Sequence, residues 1–174
     1  MTGNAPAPSP AVGNLGAADG TGVVRVGGRI DARRDDVWSA LTDPARLARW
    51  LGNVEGDLHL DGEFRARFHA SGWEGTGRVS VCERARRLRV ETWQPDQEGG
   101  HSIEVTLTGD GDQTDVVWEE RGMPLDYLAA YGAGIQVHVE DLAGHFAGRD
   151  RCNADARWNE LMPGYRVLAS TLDF

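Results

Sequence analysis

Residues 37–50 read VWSALTDPARLARW. That run spells a helix, a stop and a second helical turn. Val37, Trp38 and Leu41 fall at helical spacing on one face. Thr42 or Asp43 can cap the second turn, with Pro44 at the first helical position, where its missing N–H leaves no bond unmade. Leu47 and Trp50 continue the apolar face, and Asp35 and Asp36 suit the positive end of the first helix. A strand over 23–30 precedes this pair of stubby helices, and a long run of strand patterns comes after it. That order of elements is unusual.

The strand patterns say which side chains face inward. Residues 54–58 form a short strand. Over 63–68, Phe64, Ala66 and Phe68 face one way and Arg65 and Arg67 the other, as in a half-buried antiparallel strand. The same alternation turns Gly77, Val79 and Val81 inward over 75–83, and Leu88, Val90 and Thr92 over 88–93. It does so for Ile103, Val105 and Leu107 over 102–108, and for Val116 and Trp118 over 115–120. Gly109-Asp110-Gly111-Asp112 has the chemistry of a hairpin turn. Residues 124–148 read as a long helix, with Gly132 and Gly134 marking where it could break, and 156–162 as a last helical piece. The sheet therefore has one wet and one dry face. One helix cannot fill the dry face of a sheet of that many strands, and a large empty void is costly. A sheltered apolar pocket is the expected site.

Length and composition fit one domain over 23–174, after a Pro-, Gly-, Ala- and Ser-rich stretch, 1–22, expected to be a disordered tail. The formal charge of −9 argues against nucleic acid or an anionic membrane as partner. All 18 basic residues are Arg, as in a GC-rich genome. No apolar run approaches the ~20 residues of a membrane span, and no secretory pattern opens the chain. Cys82 and Cys152 make no disulfide framework, so the expected compartment is the cytoplasm. Trp73 or Trp158 could mark an interface, but the pattern leaves the oligomeric state open.

These motifs resemble those of the SRPBCC (START/Bet v1-like) superfamily, and within it the activator-of-Hsp90-ATPase-homologue-like family. Residues 37–50 match that family's V-W-x-A-L-T-D-P-x-x-L-x-x-W. The likeness continues in Asp61-Gly62-Glu63-Phe64-Arg65, in Arg86-Arg87-Leu88 with Thr92-Trp93, and in Gly134-Ile135 with Val139, Leu142 and Phe146 after them. The resemblance implies an α+β helix-grip fold. In it a curved antiparallel sheet of six to seven strands closes around a long C-terminal helix, two short helices come after strand 1, and an apolar cavity lies between sheet and helix.

The lining expected from these patterns is Phe68, Val79, Val90, Thr92, Val105 and Trp118 from the sheet, with Trp38 and Trp50 from the short helices. The long helix would add Tyr127, Tyr131, Ile135, His138 and Leu142. Inward valines and Trp38 are more often plain core, whereas Trp118, Tyr131 and His138 add a polar handle to an apolar face. A hydrophobic small molecule is the expected partner, with no cofactor. His138 and His145 stand two helical turns apart, too far for one metal, and no HExxH or paired CxxC spacing occurs. His59, His69 and His101 fall near strand ends, where solvent is expected.

No nucleophile elbow, phosphate loop or dinucleotide motif is present. Glu120, in phase with Trp118, would point inward; desolvated, it could act as general base with His138 in a cyclase- or dehydratase-like step. The plainer expectation is that Glu120 pairs with an Arg at the sheet end. Some superfamily members are polyketide cyclases and aromatases. Helix-grip proteins of enediyne producers, as in the calicheamicin pathway, give self-resistance by sacrifice: the drug's diradical takes hydrogen from a glycine Cα and the chain breaks. The candidate glycines here are Gly72, Gly75, Gly77, Gly99 and Gly100, although a turn or a sheet bend accounts for each. A co-chaperone role, from the family's name, is less expected, since only the tail-like stretch precedes the fold. The main expectation is sequestration or self-resistance around a natural product, with the cyclase-like enzyme as alternative.

Overall fold

The computed structural model of the chain describes residues 12–173. Its elements are β1 (Val12–Ala18), β2 (Thr21–Ile30), α1 (Arg34–Thr42), α2 (Pro44–Trp50), β3 (Gly52–Gly56), β4 (Glu63–Phe68), β5 (Glu74–Glu83), β6 (Arg87–Trp93), β7 (His101–Thr108) and β8 (Thr114–Met123). A 3-10 turn, Leu125–Tyr127, then leads into α3 (Leu128–Phe146), with α4 (Ala154–Ser170) last. The helix pair forms as its residues dictate. Thr42 Oγ1 donates back to Trp38 O at 2.8 Å and closes α1. Asp43 Oδ1 accepts from Ala45 N at 3.0 Å and opens α2, with Pro44 at its first position.

The strands make one antiparallel sheet of eight, ordered β1-β2-β8-β7-β6-β5-β4-β3. Strands β3 to β8 succeed each other as neighbours. The β2–β8 pairing, Val24 opposite Glu120 and Val26 opposite Trp118, joins distant parts of the chain. Helix α3 packs against β2, β1 and β8, and α4 packs on α3 and β1. This is the helix-grip architecture, with one strand more than the expected six to seven.

The extra strand is β1, which lies in the stretch expected to be a disordered tail. Asp19 and Gly20, both with positive φ (52° and 78°), form a tight two-residue turn that folds β1 back along β2. Leu15 supplies its apolar anchor. The rest of that expected tail, residues 1–11, lies outside the described residues. Val81 departs from its expected phase. A bulge between Val79 and Val81 sets Val81 opposite Arg89 and puts Cys82, opposite Leu88, against the core. Helix α3 is unbroken, its Gly132 fitted under the Tyr165 ring. Helix α4 runs well past Met162, the expected end, carrying Pro163 in its interior. Asn153 caps it by accepting from Ala156 N, and Tyr165 fixes it by donating to Gln136 Oε1 at 2.6 Å.

Candidate functional site

Between α3 and the sheet lies a cavity of about 760 Å³. Its sheet wall comes from Phe68, Thr92, His101, Ile103 and Glu120. Ala70, Ser71, Gly72 and Trp73, after β4, and Gln94 and Gln97, after β6, close one side. Helix α3 contributes Ala130, Tyr131, Gly134, Ile135, Val137 and His138. The first turns of α4 add Ala154, Asp155 and Trp158, and Tyr127 stands at the rim, 63% exposed. A second, apolar cavity of about 70 Å³ lies deeper, and Phe68, Thr92 and Ile103 border both.

The expected lining residues divide among three places. Phe68, Thr92, Tyr127, Tyr131, Ile135 and His138 line the large cavity. Val79, Val90, Val105 and Trp118 line the small one. Trp38, Trp50 and Leu142 line neither and belong to the packed core. Trp50 donates to Ala40 O at 2.9 Å and meets Trp118 edge-on at 6.3 Å, so its ring plugs the α1–α2 end of the interior. Trp73 and Trp158, considered above as interface residues, instead wall the cavity, and Trp158 donates to Ala130 O at 3.1 Å. His101, expected in solvent, is half-buried and edge-on to Tyr131 at 5.9 Å.

Of the candidate glycines, Gly72 lines the large cavity; its φ is +67° and no atom lies within 4 Å of where a Cβ would sit. Gly75 and Gly77 are covered, by Trp73 and by Phe64 respectively. Gly99 and Gly100 lie outside the lining. Gly134, not among the candidates, lines the cavity with open space above it.

The polar groups of the wall are held in an apolar setting. Glu120 is 7% exposed and accepts from Trp118 Nε1 at 3.2 Å. The expected arginine partner is not there: Arg121 points to Glu119 at 2.7 Å, and no described arginine is in ion-pair range of Glu120. Burial pushes the Glu120 carboxyl up to about 7, the Trp118 hydrogen bond opposing it. His138 lies between Phe68 (5.4 Å, edge-on) and the stacked Trp118 ring (6.2 Å). Its Nδ1 is buried without a hydrogen-bond partner. Burial, aided by His69, lowers His138 to about 4, so the ring is neutral at ordinary pH. Burial, reinforced by Glu120, raises the Tyr131 phenol. His145 turns away, beside Arg46 at 3.3 Å. Among the described residues no group of His, Cys, Asp or Glu converges on a metal position.

A family model described as activator of Hsp90 ATPase homolog 1-like protein matches residues 31–147, more than half of the chain. The chain belongs to this family. Its fold is similar to the crystal structure of CalU16 from Micromonospora echinospora (TM-score 0.76, 24% identity, 95% of this chain and 99% of that one). It is also similar to DynU16, a protein in the dynemicin biosynthetic locus (TM-score 0.67, 27% identity, 75% of this chain). The match takes in 50% of DynU16, so it spans half of that longer chain. EF2215 of Enterococcus faecalis, a conserved protein of unknown function, shares the fold at 17% identity (TM-score 0.66, 90% and 91% covered). No curated protein matches the sequence. No described helix is long and apolar enough to cross a membrane.

Proposed function

We propose that this family member binds a hydrophobic natural product in the large cavity and serves sequestration or self-resistance. The observation that carries the reading is the space of about 760 Å³, walled by Phe68, Trp73, Tyr131, Ile135 and Trp158. That is the size and character of a small-molecule site. The likeness to DynU16, at 27% identity, supports an enediyne context. In that context Gly72 is the position best suited to sacrifice. It borders the space, and a Cβ built on it would meet nothing within 4 Å, so no side chain blocks approach. Hydrogen abstraction leaves a Cα radical stabilised by the flanking amides, and dioxygen adding to that radical as oxidant leads to backbone cleavage. The test is incubation with an activated enediyne beside plasmid DNA. The reading expects the DNA to be spared in proportion to added protein, and mass spectrometry separates holding from sacrifice by finding the chain intact or cut at a glycine. DNA cut as fast as in the protein's absence, with the chain intact, overturns it.

One observation favours an alternative, a cyclase- or dehydratase-like enzyme. Glu120 is a cavity carboxyl near half-protonation at neutral pH, the range of a useful general acid or base. With a polyketide-type substrate, Glu120→Gln should then cost ~100-fold in rate with binding retained. A binder has no turnover to lose.

A further inference from the structure

The charge pattern of the wall bears on the kind of guest, an inference that rests on the binding reading above. Glu120 sits in register between Val24 on β2 and Ile103 on β7, neither of which offers it a polar side chain. Its hydrogen bond comes from a neutral donor, Trp118. No described arginine lines the cavity, and the chain has no lysine. The other lining carboxylate, Asp155, enters from the first turn of α4.

Of the other titratable groups that line the cavity, none is a cation by nature, and burial holds its two histidines toward the neutral form. His138 from α3 is neutral above about 4 and its Nδ1 is unpartnered. Burial lowers His101 from β7 and raises Tyr131 from α3. His69, past the end of β4, is engaged with Ala48 O at 2.8 Å. A buried carboxylate without a cation is costly to ionise. Aromatic side chains lining the same cavity, such as Tyr131 and Phe68, favour a cation over an anion. The chain's net charge of −9 draws cations in the same sense.

We infer that the cavity selects a hydrophobic guest carrying a protonated amine, which seats against Glu120, and that it rejects anionic guests of the same shape. Glu120 is thus the specificity-determining residue, and its carboxylate form is the one that binds.

The test uses one ring system with three side groups: aminomethyl-anthracene, hydroxymethyl-anthracene and anthracene carboxylate, titrated calorimetrically into the full chain. The amine should bind about tenfold or more tighter than the alcohol, a difference of about 1.4 kcal/mol, and the carboxylate weakest. Glu120→Gln should bring the amine down to the alcohol's affinity. The unaltered chain gives a second arm that needs no variant. Lowering the pH from about 8 to about 6 protonates Glu120, so amine affinity should fall while alcohol affinity stays level. An alcohol or carboxylate that binds as well as the amine, or an amine preference that survives in the Gln variant and at low pH, overturns the inference and leaves the cavity reading standing. If none of the three binds, the cavity reading falls too.

Discussion

Glu120 on β8 and His138 on α3 are both buried beside the cavity and make the fold sensitive to pH from opposite sides. The Glu120 carboxyl is raised from an ordinary 4.5 to about 7. In the unfolded chain it ionises near its ordinary value, so its contribution to stability is whole below about 4.5 and is lost as pH rises through about 7. His138 is lowered from 6.5 to about 4. The unfolded ring takes up its proton first, so stability is whole above about 6.5 and is lost as pH falls through about 4. At 1.36 kcal/mol per unit each effect is on the order of 3 kcal/mol. The two losses oppose each other, so their sum leaves a shallow maximum between about 4 and about 7. Glu120→Gln removes the alkaline loss. Urea unfolding of that variant should show stability climbing from about pH 4 to about pH 6.5 and level above it. The same pH profile in variant and parent would mean that Glu120 is solvated.

At the scale of elements, two glycines on α3, Gly132 and Gly134, should behave oppositely. A methyl at Gly132 would drive into the Tyr165 ring and come within 3.0 Å of Leu15. Alanine gains ~1 kcal/mol of helix propensity there, but overpacking costs ~1–3 kcal/mol, so Gly132→Ala should destabilise and loosen α4. Gly134 has nothing within 4 Å, so Gly134→Ala should stabilise by up to ~1 kcal/mol. Midpoints of urea unfolding decide both, and hydrogen exchange in α4 checks the first. Asp43→Ala removes the α2 cap and should cost ~1 kcal/mol.

The same elements explain how much the sequence could disclose. The α1–α2 pair was legible because stop, cap and proline fall within a few residues, and strands β4 to β8 because their phases alternate. The short strand expected over 54–58 instead lies at Gly52–Gly56, directly after α2, where no alternation marks it. Strand β1 was not, because Gly, Asn and Ala carry little strand preference; its Asp19-Gly20 turn was the available signal. Helix α4 was cut short at Pro163, because the anchoring of Tyr165 on Gln136 is a tertiary contact with no local trace. The bulge at Val79–Val81 left no mark in the alternation that it reverses.

At the scale of the molecule, helical and strand phase identified which way Phe68, Thr92, Tyr131, Ile135 and His138 face. It could not separate them from Trp50 or Leu142, which share that inward face but sit where the interior is closed. Trp73, Gln97 and Trp158 reach the cavity from loops and from α4, where no period marks them. The space they enclose does not stand empty. Its rim, at Gly72 and Tyr127, is open to solvent and its wall carries polar groups, so water or a guest fills it. A guest at a hundred times its dissociation constant should add ~2.7 kcal/mol and raise the melting temperature. The most direct measurement is a chemical-shift map of the indole and methyl resonances as hydroxymethyl-anthracene is added. Saturable shifts are expected at Trp73, Trp158 and Ile135, with Trp38 unmoved. Shifts confined to the outer surface, or none at saturating probe, would contradict the binding reading.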